Sequence, residues 1–433
     1  MVADNTRNLQ ALLDALHGFC QEEGLRVNAS KSEVVVFGAS TWRPPPTQPP
    51  FTCGGDPLPV KPEFKYLGIT LHSTRGMRAA TERLRAAGLR AIWGMHSRCT
   101  AYGITDFATR TRMYRALAKP VLTYGSEVWG PDFLSSLEAA LHAPLQVVQN
   151  DYVRHLGGVR RSVPAQVLCS ESCLPPLAHS WLRACGRQWD RMATAPSGLL
   201  RSAFVSDVAL ATDTNIPTEQ RLSTWSGAWL QAAGWLADEA GGPLRAALQH
   251  VHRSFDGPSL PHLSTKLQAA ALEAWDKVAG AQWATKAAVP DTVAAAYAAF
   301  APTRADAHSE RGFPSSMAHY YRHTSHYRSH EHARALMRLR CCSDPFAASP
   351  TLHYGTPTAC RRCPATPPET AEHALLDCPA YSHLRAQACF APLFAAPPPT
   401  GARLHAFVRS PDQFALAEYV HACFEDRHDA NKP

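Results

Sequence analysis

The window that most constrains this chain is "CRRCPATPPETAEHALLDCPAY", residues 360–381, where three cysteines and a histidine fall in a C-x2-C-x9-H-x4-C spacing. Three thiolates and one imidazole make a closed tetrahedral zinc set with no open position for catalysis, so Cys360, Cys363, His373 and Cys378 are predicted to converge on one structural Zn2+. A CxxC pair alone is a weak signal; the His-x4-Cys pair behind it gives the pattern its specificity. Thr366 and Glu369 fit a capping box, which would put His373 on a short helix through "ETAEHALL". Pro379 disfavours a helical Cys378 and so helps turn that thiolate back, because residues five apart on a continuous helix do not share a face. Cys341, Cys342 and Cys389 could compete as ligands, and a helix with incidental buried cysteines is the plainer alternative.

Around these ligands lie Arg361, Arg362, Tyr381, His383 and Arg385. Arginines and aromatics on a rigid knuckle suit stacking and phosphate contact with single strands. They equally suit a structural clip with a solvated basic rim.

With 433 residues, 45% of them apolar and 18% charged, the chain can bury sizeable cores and is expected to form more than one domain. No run of eighteen apolar residues occurs, and "MVADNTRNLQ" has neither a basic n-region nor an apolar h-region. The expectation is an intracellular protein, cytoplasmic or nuclear, with no membrane partner. Thirteen cysteines at irregular spacing favour free thiols plus a metal site over a disulfide framework. The net charge of +7 suits a polyanionic partner without requiring one.

The pattern along the chain predicts a mainly α protein with a small α+β unit at the N-terminus. Leu9, Leu12, Leu13, Leu16, Phe19 and Cys20 form a helical stripe, entered through Asp4 or Asn5 and ended at Gly24. Val27, and then Val34 to Phe37, read as two short β runs around a polar turn. The proline-rich "TWRPPPTQPPFTCGGDPLPVKPE" reads as a loop. "FKYLGITLH" reads as a strand or hairpin around Gly68. Helical stretches follow from Met77 to about Arg187, and a less legible helical region, rich in Ala and Trp, occupies 191–335. The expected organisation is 1–75, 76–190, 191–335, a zinc module at 336–395 and a tail at 396–433 that frays at its end.

Taken in order, "LQALLDALHGFCQEEGLRVNASKSEVVVFG", "FKYLGITL", "YRALAKPVLTYGSEVWG", "LQVVQNDYVRHLGG" with "ESCLPPL", and the cysteine window resemble the downstream half of a non-LTR (LINE-type) retrotransposon reverse transcriptase. The resemblance covers about 5–190 and 335–390. It implies the last part of a polymerase palm, a helical thumb-like bundle and a C-terminal zinc knuckle. It also places Lys31 where the family has a lysine thought to protonate the pyrophosphate leaving group, a role in which an ammonium beside developing phosphate charge makes chemical sense. Phe64, Tyr66, Leu67 and Gly68 fall in the family's primer-grip hairpin, and Arg361, Arg362 and Arg385 in the nucleic-acid-facing knuckle, with RNA and possibly DNA as partners.

An intact member holds two Mg2+ ions on paired aspartates. Here "VADN" leaves only three residues before Leu9, no room for a returning strand, so Asp4 and Asn5 read as the helix cap and the aspartate pair is expected upstream of Met1. The chain therefore reads as a truncated, RNA-binding derivative that does not polymerise by itself, with the upstream half as a possible partner. The alternative is a non-enzymatic zinc-containing protein-interaction scaffold. A metal-dependent nuclease built on Asp412 and Glu418 lacks a following lysine at usable spacing.

Overall fold

The computed structural model describes residues 1–37, 51–172, 174–196, 198–240, 284–286, 288, 297, 326–346, 359–360, 362–364, 367–395 and 403–429. The chain divides into two compact units, Met1–Ala86 and Ala87–Pro433. Helix dominates, and four short strands among the described residues all fall in the first unit.

In the first unit, helix α1 spans Thr6–Glu22, and the Asn5 side chain accepts from the Asn8 amide at 2.8 Å. This is the side-chain cap expected of Asn at a helix entry. Of the predicted stripe only Leu13 and Cys20 are buried, while Leu12 and Phe19 stay exposed. The partner of the covered face is a hairpin of β1 (Phe51–Cys53) and β2 (Asp56–Leu58), pairing Phe51 with Leu58 and Cys53 with Asp56.

That hairpin corrects the expectation of a loop at its end of the proline-rich segment. Gly54 and Gly55, at φ +61 and +86, supply the left-handed turn that only glycine adopts freely, and Gly54 also leaves room for the His17 ring. Residues 38–50 of that segment lie outside the described residues. The Gln10 side-chain amide donates to the Thr52 carbonyl at 2.9 Å and accepts from its N–H at 3.1 Å, satisfying both backbone groups as a neighbouring strand would.

The β runs expected at Val27 and at Val34 to Phe37 do not form strands. Val34 makes a single parallel bridge to Val60, and Val36 and Phe37 are exposed. Alternating apolar types can pair only where a neighbouring backbone lies alongside, and here that neighbour is one bridge long. Leu13, Val34, Phe51, Cys53 and Leu58 form the buried cluster of this unit. A second hairpin, β3 (Glu63–Tyr66) and β4 (Ile69–His72), matches the reading of "FKYLGITLH", with Leu67 and Gly68 at the turn.

Helix α2, Arg78–Ala101, leads into the second unit. There α3 (Phe107–Met113) runs through a π-helical turn, Tyr114–Ala118, into a short helix from Lys119 to Leu122. Pro120 removes one helical donor, and the wider turn is the kind of local adjustment that absorbs it. The segment from Asp106 to Gly130 is helical as expected, in several short pieces; Gly125 at φ +68 marks the break.

Helix α4 (Pro144–Gly157) buries Gln146, Gln149 and Asn150 along with its apolar residues. Each finds partners, as buried polar groups must. The Tyr114 hydroxyl donates to Gln149 Oε1 at 2.8 Å, the Gln149 amide donates to the Pro175 carbonyl, and Gln146 Oε1 accepts from the Leu177 N–H. Helices α5 (Ala165–Ser172), α6 (Ala178–Ala193), α7 (Leu199–Thr212) and α8 (Trp225–Ala240) follow. Edge-to-face contacts link Trp129 to Trp181 and Trp189 to Phe204. The predicted helix "KLQAAALEAWDKVAGAQWA" lies outside the described residues, its last residue excepted.

Helix α9 (His330–Arg340) packs against α10 (Gln413–Asp429). Arg340 reaches back to Glu171 on α5 in a two-pronged ion pair of 2.8 and 3.0 Å, with Glu171 almost fully buried. Such a pair contributes less by its own attraction than by the several kcal/mol that either charge would cost if left alone.

Candidate metal centre

The four predicted ligands converge. One donor atom each from Cys360, Cys363, His373 and Cys378 lies within 4.8 Å of the others, and all three cysteines are buried. Cys360 Sγ is 3.9 Å from Cys378 Sγ, and Cys363 Sγ is 3.5 Å from His373 Nε2. Bonds of about 2.3 Å to sulfur and about 2.0 Å to nitrogen at tetrahedral angles put donors roughly 3.5–3.8 Å apart, close to these two distances, so the set is compatible with zinc. Among the described residues this is the one group of three or more potential ligands. Cys341 and Cys342 are buried elsewhere and Cys389 is exposed, so none of them competes.

Three local devices bring the donors together. An antiparallel bridge from Ala359 to Pro368, with the Cys360 N–H donating to the Pro367 carbonyl at 2.6 Å, folds the first two ligands back on themselves. The helix behind them is capped by Thr370, whose hydroxyl accepts from the His373 N–H at 3.0 Å. This corrects the predicted Thr366–Glu369 capping box: Thr366 lies outside the described residues, and Glu369 is buried against Arg427. Third, residues His373–Asp377 form a π turn closed by the Cys378 N–H donating to the His373 carbonyl at 2.7 Å.

An α-helix cannot bring residues five apart to one face. The i to i+5 bond of a π turn does, and such turns gather at functional sites. Pro379 then holds Cys378 in an extended conformation (φ −59, ψ 123), as expected from the sequence. Burial, helped by the neighbouring Cys360 and Cys363 thiols, pushes the Cys378 thiol up to about 11. A crowded thiol set of this kind becomes thiolate when a metal cation takes the place of its protons.

Among the described residues, Arg362 and Arg385 are engaged within the protein. Arg362 donates to the Asp426 carboxylate and backbone carbonyl, both at 2.9 Å, and sits 5.1 Å from the centre of the Tyr381 ring. Arg385 donates to the Cys378 carbonyl at 2.6 Å. Arg427 pairs with fully buried Glu369 at 2.9 Å, and the Tyr419 hydroxyl donates to the Leu375 carbonyl. Helix α10 is therefore the platform of the knuckle. No motif marks it, since its contribution is three residues spread over two turns of a segment read as a tail. Arg361 lies outside the described residues.

The remaining candidates are in the first unit. Lys31 ends an exposed 3-10 turn, Ala29–Lys31. Phe64 and Tyr66 stack with ring centres 6.5 Å apart on β3, and Tyr66 and Leu67 are exposed at the hairpin tip. Asp412 caps α10 through the Ala415 N–H, and Glu418 pairs with Arg328, so the two acids serve separate structural ends.

The chain is 26% identical over 169 residues to an uncharacterised transposon-derived protein of Caenorhabditis elegans, a match covering 37% of this chain and 53% of that protein. It is 22% identical over 210 residues to the RNA-directed DNA polymerase from the mobile element jockey of Drosophila melanogaster, covering 48% of this chain and 22% of the polymerase. The matches thus span about half the length of the first relative and about a fifth of the second. No family model and no solved structure matches the chain. Both relatives are mobile-element proteins, in agreement with the LINE-type resemblance of the motifs. No helix among the described residues is long and apolar enough to cross a membrane.

Proposed function

We propose that this chain, a LINE-type retrotransposon-derived protein, binds single-stranded RNA, with its Cys360–Cys363–His373–Cys378 knuckle holding a structural zinc ion. The observation that carries the reading is the convergence of the four ligands on a preformed platform, in a chain with a net charge of +7. Zinc here would fix the fold of the C-terminal region, because a closed Cys3His set leaves no coordination position for a substrate. Residues 1–75 would correspond to the end of a polymerase palm with a primer-grip-like hairpin, and the helices to about residue 190 to a thumb.

Polymerisation belongs by name to the Drosophila relative, and we assign none to residues 1–433 alone. In support, Asp4 and Asn5 are both engaged at the entry of α1: Asp4 Oδ1 accepts from the Asn8 side chain at 2.7 Å and Asn5 caps the helix. An upstream polymerase segment is a candidate partner. Two assays test the reading. Affinity for a single-stranded RNA should fall steeply as salt is raised, since each phosphate contact releases counterions. A weak salt response would favour an apolar protein-interaction scaffold instead. Primer extension on an RNA template with Mg2+ or Mn2+ should be absent, and robust extension would contradict the assignment.

A further inference from the structure

A cleft of about 320 Å3 opens in the second unit, away from the metal centre, lined by His96, Arg110, His155, His330 and Arg334 among others. His96 on α2 and His155 on α4 point ring nitrogens at each other, Nε2 to Nε2 at 3.2 Å, with the rings nearly perpendicular. Trp93, half exposed, meets both imidazoles edge-on at 5.9 and 4.9 Å between centres. The pair is hemmed in by cations: Arg110 on α3 lies 3.5 Å from His96 Nδ1, and Arg334 on α9 lines the same cleft. The Nε of Arg334 is buried without a hydrogen-bond partner among the described residues. The acid of the group, Glu331, is engaged by Arg334 at 2.8 Å and by His330 at 3.0 Å.

A metal ion is a poor occupant, because two guanidinium groups flank the imidazoles and no third ligand joins them among the described residues. An anion fits. Burial, with the nearby Arg110, lowers the affinity of His96 for a proton, and burial, with His96, Arg334 and Arg110, lowers that of His155. An entering anion would reverse that balance.

We propose that this cleft binds the phosphate of a nucleotide, held by Arg110 and Arg334, with the His96–His155 pair taking up a proton on binding and the half-exposed Trp93, packed against that pair outside the cleft lining, meeting the base where it leaves the cleft. The volume suits a mononucleotide-sized ligand, and guanidinium groups are the side chains best matched to phosphate. The phosphate could be a free phosphomonoester or one phosphodiester of a strand. The inference deepens the RNA-binding reading, yet either can fail without the other. The sign of the pH dependence follows from linkage: binding raises the histidine pKa values, so affinity grows as pH falls through the values of the bound state.

The test is calorimetry on the full zinc-loaded chain with inorganic phosphate, adenosine 5′-monophosphate and an oligouridylate, each at pH 6 and pH 8. The nucleotide should bind about five- to tenfold more tightly at pH 6, in keeping with uptake of up to one proton. His155→Gln should flatten that dependence. Arg334→Gln should weaken binding about tenfold or more, and Trp93→Ala should weaken the nucleotide but not inorganic phosphate. Circular dichroism checks that each variant is folded, and His155→Gln keeps the test decisive if Arg334→Gln is not. Absence of binding by every ligand, or an unchanged pH dependence in His155→Gln, overturns the proposal. Oligonucleotide binding that survives both variants leaves the RNA-binding function standing and removes this cleft from it. Mononucleotide binding lost in the variants, with no oligonucleotide binding at all, keeps the cleft and removes the RNA-binding function.

Discussion

In residues 1–86, one cluster of five buried apolar side chains includes Leu13 and Phe51; Cys20, Ala79, Ala80 and Leu84 are buried besides, and Leu12, Phe19, Val36 and Phe37 are exposed. Around Cys378 a larger apolar core, with Phe346, Leu375, Tyr381, Tyr419 and Val420 fully buried, carries directed contacts as well: four metal-type ligands and the ion pairs Arg362–Asp426 and Arg427–Glu369. The contrast sets a small apolar cluster against a region in which metal-type ligands and buried ion pairs are added to an apolar core. A small hydrophobic cluster tolerates partial loss in proportion to the area removed. A buried charge pair or metal set fails abruptly once one member is missing.

The largest test of that contrast is removal of the metal. Chelation, or Cys378→Ser, should open residues 359–395 and 413–429 to hydrogen exchange, since structural zinc contributes on the order of 10 kcal/mol in small zinc modules. Exchange within residues 6–72 should stay as it was; simultaneous opening of both regions would break the contrast.

Next in size, Glu369→Ala should cost about 3–5 kcal/mol by stranding Arg427, read as a drop in the denaturation midpoint of the second unit. Leu13→Ala should cost about 2–4 kcal/mol in the first unit, the ordinary range for a well-buried leucine.

A pH effect is expected in the second unit. Burial pushes the Asp344 carboxyl up to about 7, against an ordinary value near 3.8. In that interval the folded chain holds a proton that the unfolded chain has released, so stability falls as pH rises from about 4 to about 7, by at most about 1.4 kcal/mol per pH unit. Asp344→Asn should flatten the profile, measured as thermal midpoint against pH.

The smallest effect is a gain. Leu67 holds φ +46 in the β3–β4 turn, where a bulky side chain is strained, and Leu67→Asn before Gly68 should stabilise the hairpin by about 1 kcal/mol.

Much of this was legible beforehand because it is local. The cap at Asn5, the hairpin at Gly68 and the placing of Cys378 outside the helix by Pro379 follow from neighbouring residues alone. The ligand set was legible because metal chemistry restricts both residue types and spacing. What escaped depends on partners distant in sequence. Glu369 has the sequence position of a helix-capping acid, whereas Arg427, 58 residues on, pairs with it. The strand pattern at Val34 to Phe37 finds, among the described residues, only the one-residue bridge to Val60, and the Phe51–Leu58 hairpin is hidden by the prolines around it. The π turn at His373 leaves no sequence mark, although it is what brings residues 373 and 378 to one side of the turn.

The most direct test of the account is native mass spectrometry of the full chain purified without added chelator, beside a Cys360→Ser/Cys378→Ser variant. The account predicts one zinc ion per wild-type chain, absent from the variant, with cobalt substitution giving the thiolate-to-metal absorption of a tetrahedral site. A folded, metal-free wild-type chain whose Cys360, Cys363 and Cys378 all react readily with an alkylating reagent would contradict it.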